Sequence, residues 1–207
     1  MNISLTIILI AITIAASFVA WKRRDLRDKW IHNPYSANKY NEYWRLLTSG
    51  FIHADYMHIF FNMWAFYLFG GLVEQYFTVF FGGKAILMFL LIYLGGIVVA
   101  NIPDFIQHKN NPSFNSLGAS GGVSSIVFCA VILQPTMELM IFPIPIPMPA
   151  YIFALLYVAY SVYMEKRQMD NVNHMAHLWG AIWGVVFIAA TQPQTLGNFM
   201  NQITSSF

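Results

Sequence analysis

Three polar blocks interrupt an otherwise apolar chain: H-A-D-Y-M-H-I-F-F-N over His53–Asn62, S-L-G-A-S-G-G over Ser116–Gly122, and H-M-A-H-L-W-G over His174–Gly180. Polar groups inside a membrane are costly, so each block is a functional candidate. A serine hydroxyl is a poor nucleophile until a base takes its proton, and histidine is the usual base near neutral pH. Ser120 and His177 supply such a pair, each near the start of an apolar segment. A helix beginning near Ser120 points unpaired backbone N–H groups at developing negative charge. His58 and Asn62 stand four residues apart, on one helical face, and can donate to the same oxyanion. Each block alone has a plainer explanation: interhelical hydrogen bonding for His58 and Asn62, close packing for the glycine–serine run, a packing role for a lone histidine. Together they form a chemical set. No carboxylate occurs in 110–137 or 171–207, so the set is a Ser–His dyad whose histidine is oriented by packing rather than by an acid.

The elements that must position these residues follow from composition. Hydrophobic residues make up 57% of the 207 and charged residues only 10%, where a soluble domain carries about a quarter charged. So few charges cannot cover a soluble globule, and the chain must use lipid as part of its solvent. Charge-free windows run Met1–Trp21, Tyr56–Val73, Ala85–Pro103, Asn110–Met137, Leu139–Met164 and Asn171–Phe207. A crossing helix needs about 20 mostly apolar residues. The expected fold is therefore all-α and polytopic, with six spans near Ile3–Ala20, Tyr56–Leu72, Ala85–Ile102, Ser116–Leu133, Ala150–Tyr163 (starting earlier) and Ala176–Thr191. Spans two, four and six run in one direction and bring the three polar blocks to similar depth. Gly121, Gly180 and Gly184 let spans four and six approach closely.

The stretches Lys22–Thr48, Asp104–Asn115 and Glu165–Asn173 are expected loops, and 1–207 a single transmembrane domain with no soluble accessory domain. Span one has no basic leader and is followed by Lys22-Arg23-Arg24, which marks a retained helix rather than a signal peptide. Proline at every second position in Phe142–Pro149 excludes a regular helix and predicts an extended connector. The lone Cys129 rules out an intramolecular disulfide and a multi-cysteine zinc site, and a net charge of +2 gives no case for nucleic acid.

At these residues the sequence resembles the rhomboid intramembrane serine proteases over nearly its whole length. Gly118-Ala119-Ser120-Gly121 is similar to the family's G-x-S-G, and Ala176-His177-Leu178-Trp179-Gly180 to its A-H-x-x-G. His53, His58 and Asn62 fit its H-x-x-x-x-H-x-x-x-N block, Trp44-Arg45 the W-R pair of the first loop, and Gly71 and Glu74 a G-x-x-x-E-like ending of span two. The resemblance implies Ser120 as nucleophile, His177 as base, and His58, Asn62, Gly118 and Ala119 around the oxyanion, with His53, Gly121, His174, Gly180, Trp44, Arg45 and Glu74 in support. It implies a compact six-helix bundle with a water-filled active site open to the extracytoplasmic side, and substrates that are transmembrane helices of other membrane proteins. Span five or its cap would gate their access. No cofactor and no metal are implied. Small size favours a bacterial inner membrane. Two residues depart from the pattern: Ser124 stands where some members carry an aromatic that stacks on the catalytic histidine, and His174 where others often have asparagine.

That orientation conflicts with the positive-inside rule. Lys22, Arg23, Arg24, Arg27, Lys29, Lys39, Arg45, Lys109, Lys166 and Arg167 would lie outside, and only Lys84 inside. Other readings remain. His53, His58, His174 and His177 could serve a membrane metalloenzyme or metal carrier, although no H-E-x-x-H is present. A catalytically inactive relative that binds transmembrane helices would fit the same fold. A transporter has no membrane-embedded charge pair in support.

Overall fold

A computed structural model describes residues 4–141, 144–167 and 172–206. Ile3 of the first expected span, Phe142 and Pro143 of the proline run, and 168–171 of the last expected loop lie outside the described residues. Six helices occupy the six expected spans: α1 (Leu5–Lys22), α5 (Tyr56–Phe81), α6 (Ala85–His108), α7 (Ser120–Leu133), α8 (Ala150–Arg167) and α9 (His174–Thr191). By length and composition alone, Leu5–Lys22, Tyr56–His108 and His174–Thr191 could cross a membrane, and the second of these is α5 and α6 joined at Gly82–Lys84. The chain is an all-α polytopic membrane protein.

α1 carries mostly small and polar side chains on its inner face and large apolar ones outside. α1 buries Thr6, Leu9, Thr13, Ser17 and Ala20, spaced three and four apart along one stripe. Ile7, Ile8, Ile12, Phe18 and Val19 face outward. The stripe lets backbones close in, since lipid gives no hydrophobic reason to bury large side chains. The Glu74 carboxylate then caps α1 from α5, accepting from Ser4 Oγ (2.8 Å), the Leu5 N–H (3.2 Å), and the N–H and hydroxyl of Thr6. The two amides are orphan donors of a first helical turn, so α1 is fastened where it would otherwise fray.

α7 is the axis of the bundle. Every residue from Gly121 to Leu133 is buried, and glycine sets its distance from both neighbours. A Cβ on Gly180 would lie 2.2 Å from Gly121 O, one on Gly184 2.1 Å from Ser125 O, and one on Gly96 of α6 2.5 Å from Ser125 Oγ. Fourteen residues of helix rise only about 21 Å, against a hydrocarbon core of about 30 Å. A helix this short begins or ends below the membrane surface.

Several expected boundaries are corrected. α5 continues nine residues past Leu72 to Phe81, and α6 runs through Pro103 to His108, so Asp104 is helical rather than the start of a loop. Span four begins at Ser120 rather than Ser116. Span five does not start before Ala150: β1 (Glu138–Ile141) and β2 (Ile144–Pro149) form an antiparallel pair, because alternate prolines forbid a helix but tolerate an extended edge. The expected Lys22–Thr48 loop holds α2 (Arg24–Trp30), α3 (Pro34–Tyr40) and α4 (Arg45–Thr48). Beyond the last span lies α10 (Gln194–Thr204), which carries no charge.

Candidate active site

The loop helices fix the approach to α7. Arg45, almost fully buried, donates to Glu42 Oε2 (2.6 Å) and to the carbonyls of Asp28 (2.5 Å) and Ile31 (3.0 Å). Trp44 points outward instead, 52% exposed, and does not line the cleft described below. His32 and Ser116 exchange both backbone hydrogen bonds at 3.0 Å, and Asn33 Nδ2 donates to the carbonyls of Pro112 and Phe114 (3.1 Å each). The segment leading to Ser120 is thus laced to the first loop.

His53 completes the lacing. The Ala119 N–H donates to its Nε2 (3.3 Å), which leaves the proton on Nδ1, 3.1 Å from Ser17 Oγ on α1. Ser17 donates onward to Phe51 O (3.2 Å). Burial, with a smaller contribution from His58, pushes the His53 imidazole down to about 3, so it stays neutral and structural. With both nitrogens engaged, His53 drops out of the four-histidine ligand set. Among the described residues no three His, Cys, Asp or Glu side chains are grouped to hold a metal ion.

Gly118 turns the chain into α7 at φ +125°, and a Cβ there would lie 2.7 Å from the His58 ring. Both demands require glycine. His58 therefore packs on the turn before Ser120, with the His53 ring edge-on at 4.9 Å. Asn62, one turn further along α5, is buried and donates one Nδ2 hydrogen to His58 O (3.0 Å). The amides of Gly118 and Ala119 are already spent, on Ser49 O (3.0 Å) and His53. The first intrahelical bond of α7 runs from the Val123 N–H to Ala119 O (2.9 Å), which leaves the Ser120, Gly121 and Gly122 amides of its first turn without an intrahelical acceptor.

From the other side, α9 brings His177. Gly180 sits one turn beyond it and Gly121 next to Ser120, so the tight α7–α9 crossing lies beside the pair. Ser120, His177, His58 and Asn62 all line one cleft of about 1130 Å³, with Phe61, Phe128, Phe153 and Tyr157 among its apolar walls. A hydroxyl and an imidazole, with a second imidazole and a carboxamide on a third helix, are the groups acyl transfer needs.

Four neighbours were not anticipated. Asn173 caps α9 through Oδ1, accepting from the Ala176 N–H (2.9 Å), while its Nδ2 donates to Asp104 Oδ2 (2.5 Å). Asp104 is buried and also accepts from Ser116 Oγ (3.2 Å). An acid thus supports the site from α6, acting on the frame rather than on His177. Its signal was available as an ionisable residue at the end of an apolar run, hidden by ending the span at Ile102. Glu165 accepts from the Met175 N–H (3.1 Å), and the Tyr157 ring stands nearly parallel to that of His177, offset at 6.2 Å between centroids.

The Rhomboid domain family matches residues 40–194 of this sequence. The putative rhomboid protease YdcA of Bacillus subtilis (strain 168) is 32% identical over 145 residues, covering 69% of this chain and 64% of that protein. RHOMBOID-like protein 12, mitochondrial, of Arabidopsis thaliana is 28% identical over 188 residues (81% and 52%), and the rhomboid protease GlpG of Haemophilus influenzae 25% over 158 residues (75% and 76%). The chain belongs to the rhomboid family. It spans just under two thirds of the first of these relatives and about half of the second.

Proposed function

We propose that this protein is an intramembrane serine protease that cleaves transmembrane helices of other membrane proteins. The observation that carries this reading is the shared cleft: Ser120 and His177 from two helices locked together by glycine, facing His58 and Asn62. His177 takes the Ser120 proton as Oγ bonds to the scissile carbonyl carbon. The resulting oxyanion is held by Asn62, His58 and the first amides of α7. His177 then protonates the leaving amine as the C–N bond breaks, and water hydrolyses the acyl-enzyme by the reverse proton path. No metal or cofactor takes part. The position of Ser120 at the head of a short helix supports cleavage below the membrane surface, in a cleft wet enough to supply that water.

In this reading residues 1–207 act as one six-helix domain in a bacterial inner membrane, with the cleft opening to the extracytoplasmic side. Arg45 and Glu74 hold the scaffold, and Trp44 belongs to the loop surface. Co-expression with a panel of tagged single-pass membrane proteins tests it. Wild type should release a shortened product that Ser120→Ala does not, with Ser125→Ala as an active control. Equal cleavage by Ser120→Ala would contradict the proposal, and absence of any cleavage or serine labelling would favour an inactive helix-binding relative.

A further inference from the structure

An imidazole acting as a base needs a fixed ring plane, because its χ2 torsion is broad and two-fold rather than locked in one staggered well. No aromatic stands one turn after Ser120 to supply it; that position is Ser124. The flat partner comes from another helix. Tyr157 of α8 lies nearly parallel to the His177 ring, with centroids 6.2 Å apart and planes 11° apart, within the range of offset stacking. The tyrosine is itself held. Its hydroxyl is 3.1 Å from Ser124 Oγ, and its ring leans on Phe128 at 5.6 Å and Phe153 at 5.8 Å.

The contact repeats one turn away. Tyr160 meets His174 edge-on at 5.7 Å, and His174 meets His177 edge-on at 5.9 Å. Two tyrosines three residues apart on α8 thus match two histidines three residues apart on α9, as the registry of adjacent antiparallel helices requires. The small Ser124 side chain leaves room for the tyrosine and anchors its hydroxyl, so the two residues act as one device. We propose that Tyr157 is the positioning residue for His177, holding the plane of the imidazole from α8 with Ser124 as its anchor. The proposal rests on the reading of His177 as the base. It ties catalysis to α8: if α8 swings away, the imidazole loses its flat support.

The test compares Tyr157→Phe, which keeps the ring, with Tyr157→Leu and the gap-filling Tyr157→Met, in the full chain in detergent with a transmembrane substrate. Three readouts are needed: kcat and KM separately, thermal unfolding, and the chemical shift of the His177 Cε1–H. Folded Leu and Met variants should lose about 10- to 100-fold in kcat, the scale of a slightly misplaced catalytic group, with KM within about two-fold of wild type. Their Cε1–H signal should lose the ring-current displacement that the tyrosine ring imposes. Tyr157→Phe should retain most of kcat and the displacement. Wild-type kcat in either folded variant overturns the proposal, as does a Phe variant as slow as Leu. A dead His177→Ala beside a wild-type Tyr157→Leu sinks this inference alone, whereas an active His177→Ala sinks the base assignment beneath it.

Discussion

The two walls of the cleft are built on different principles. On one side α7 meets α9 backbone to backbone, with glycine at each crossing and every residue of α7 beyond Ser120 buried. On the other, α8 buries only Ala150 and Ser161 and touches α9 through one parallel and one edge-on tyrosine–histidine pair and a carboxylate cap. A backbone seam has a single arrangement, whereas ring contacts can part and re-form. The proposed nucleophile and base both stand on the seam, so any separation of the two walls falls on the ring contacts of α8.

The sharpest way to break this contrast is to change one side chain on each wall's helix. Gly180→Ala and Gly184→Ala force a Cβ into backbone that has nowhere to go, and should cost about 3 kcal/mol or more. Thermal unfolding in detergent should show a large drop or no folded protein. Leu155 of α8 is 67% exposed, so Leu155→Ala should stay within about 0.5 kcal/mol. Similar losses from both walls would erase the distinction.

Next in size is Glu74→Ala, which strips the cap from α1. Bonds to a charged acceptor are worth about 1.5–3 kcal/mol, so a destabilisation of about 2–3 kcal/mol is expected. Ser120 labelling in the folded fraction should persist, because the seam does not depend on α1. Asn173→Ala removes the α9 cap at about 1 kcal/mol. It should lower turnover more than stability, since the turn it loosens carries His177. Unchanged kcat in a folded Asn173→Ala would show that the Asp104–Asn173 frame does not reach the base.

Acid should loosen the rim of the rigid wall gradually. Burial, aided by the nearby Arg45 charge, pushes His32 from its ordinary 6.5 down to about 4, and burial pushes His53 down to about 3. Both are neutral when folded and regain protons on unfolding. Stability is therefore full above pH 6.5 and declines as pH falls from there toward 4. Unfolding temperatures measured across that interval should slope downward, and His32→Gln should flatten part of the slope. A flat wild-type profile would mean that these imidazoles are not held neutral.

The core of this arrangement was legible because membrane chemistry leaves few polar residues to choose from. His58, Asn62, Ser120 and His177 were exceptions in apolar windows, and glycine spacing predicted the seam. What stayed hidden came from tertiary reach. Asp104 lay past a proline that should have ended α6, yet the helix runs on to His108. Tyr157 carries no signal of its own in the sequence: nothing in its neighbourhood distinguishes it from Tyr151, Tyr160 or Tyr163 until α9 packs against it. Gly118 and Ala119 carried a motif, but only the fold reveals that their amides are already bonded to Ser49 and His53.

The central claim is that Ser120 is a nucleophile activated by His177, and covalent labelling reads it most directly. Purified protein treated with a fluorophosphonate should label once, on a peptide containing Ser120. Labelling should vanish in Ser120→Ala and His177→Ala and survive EDTA, while Asn62→Ala, with nucleophile and base intact, still labels while cutting substrate about 10²- to 10³-fold more slowly. Labelling that persists in a folded His177→Ala at the wild-type rate, or that maps to a residue other than Ser120, would contradict the account.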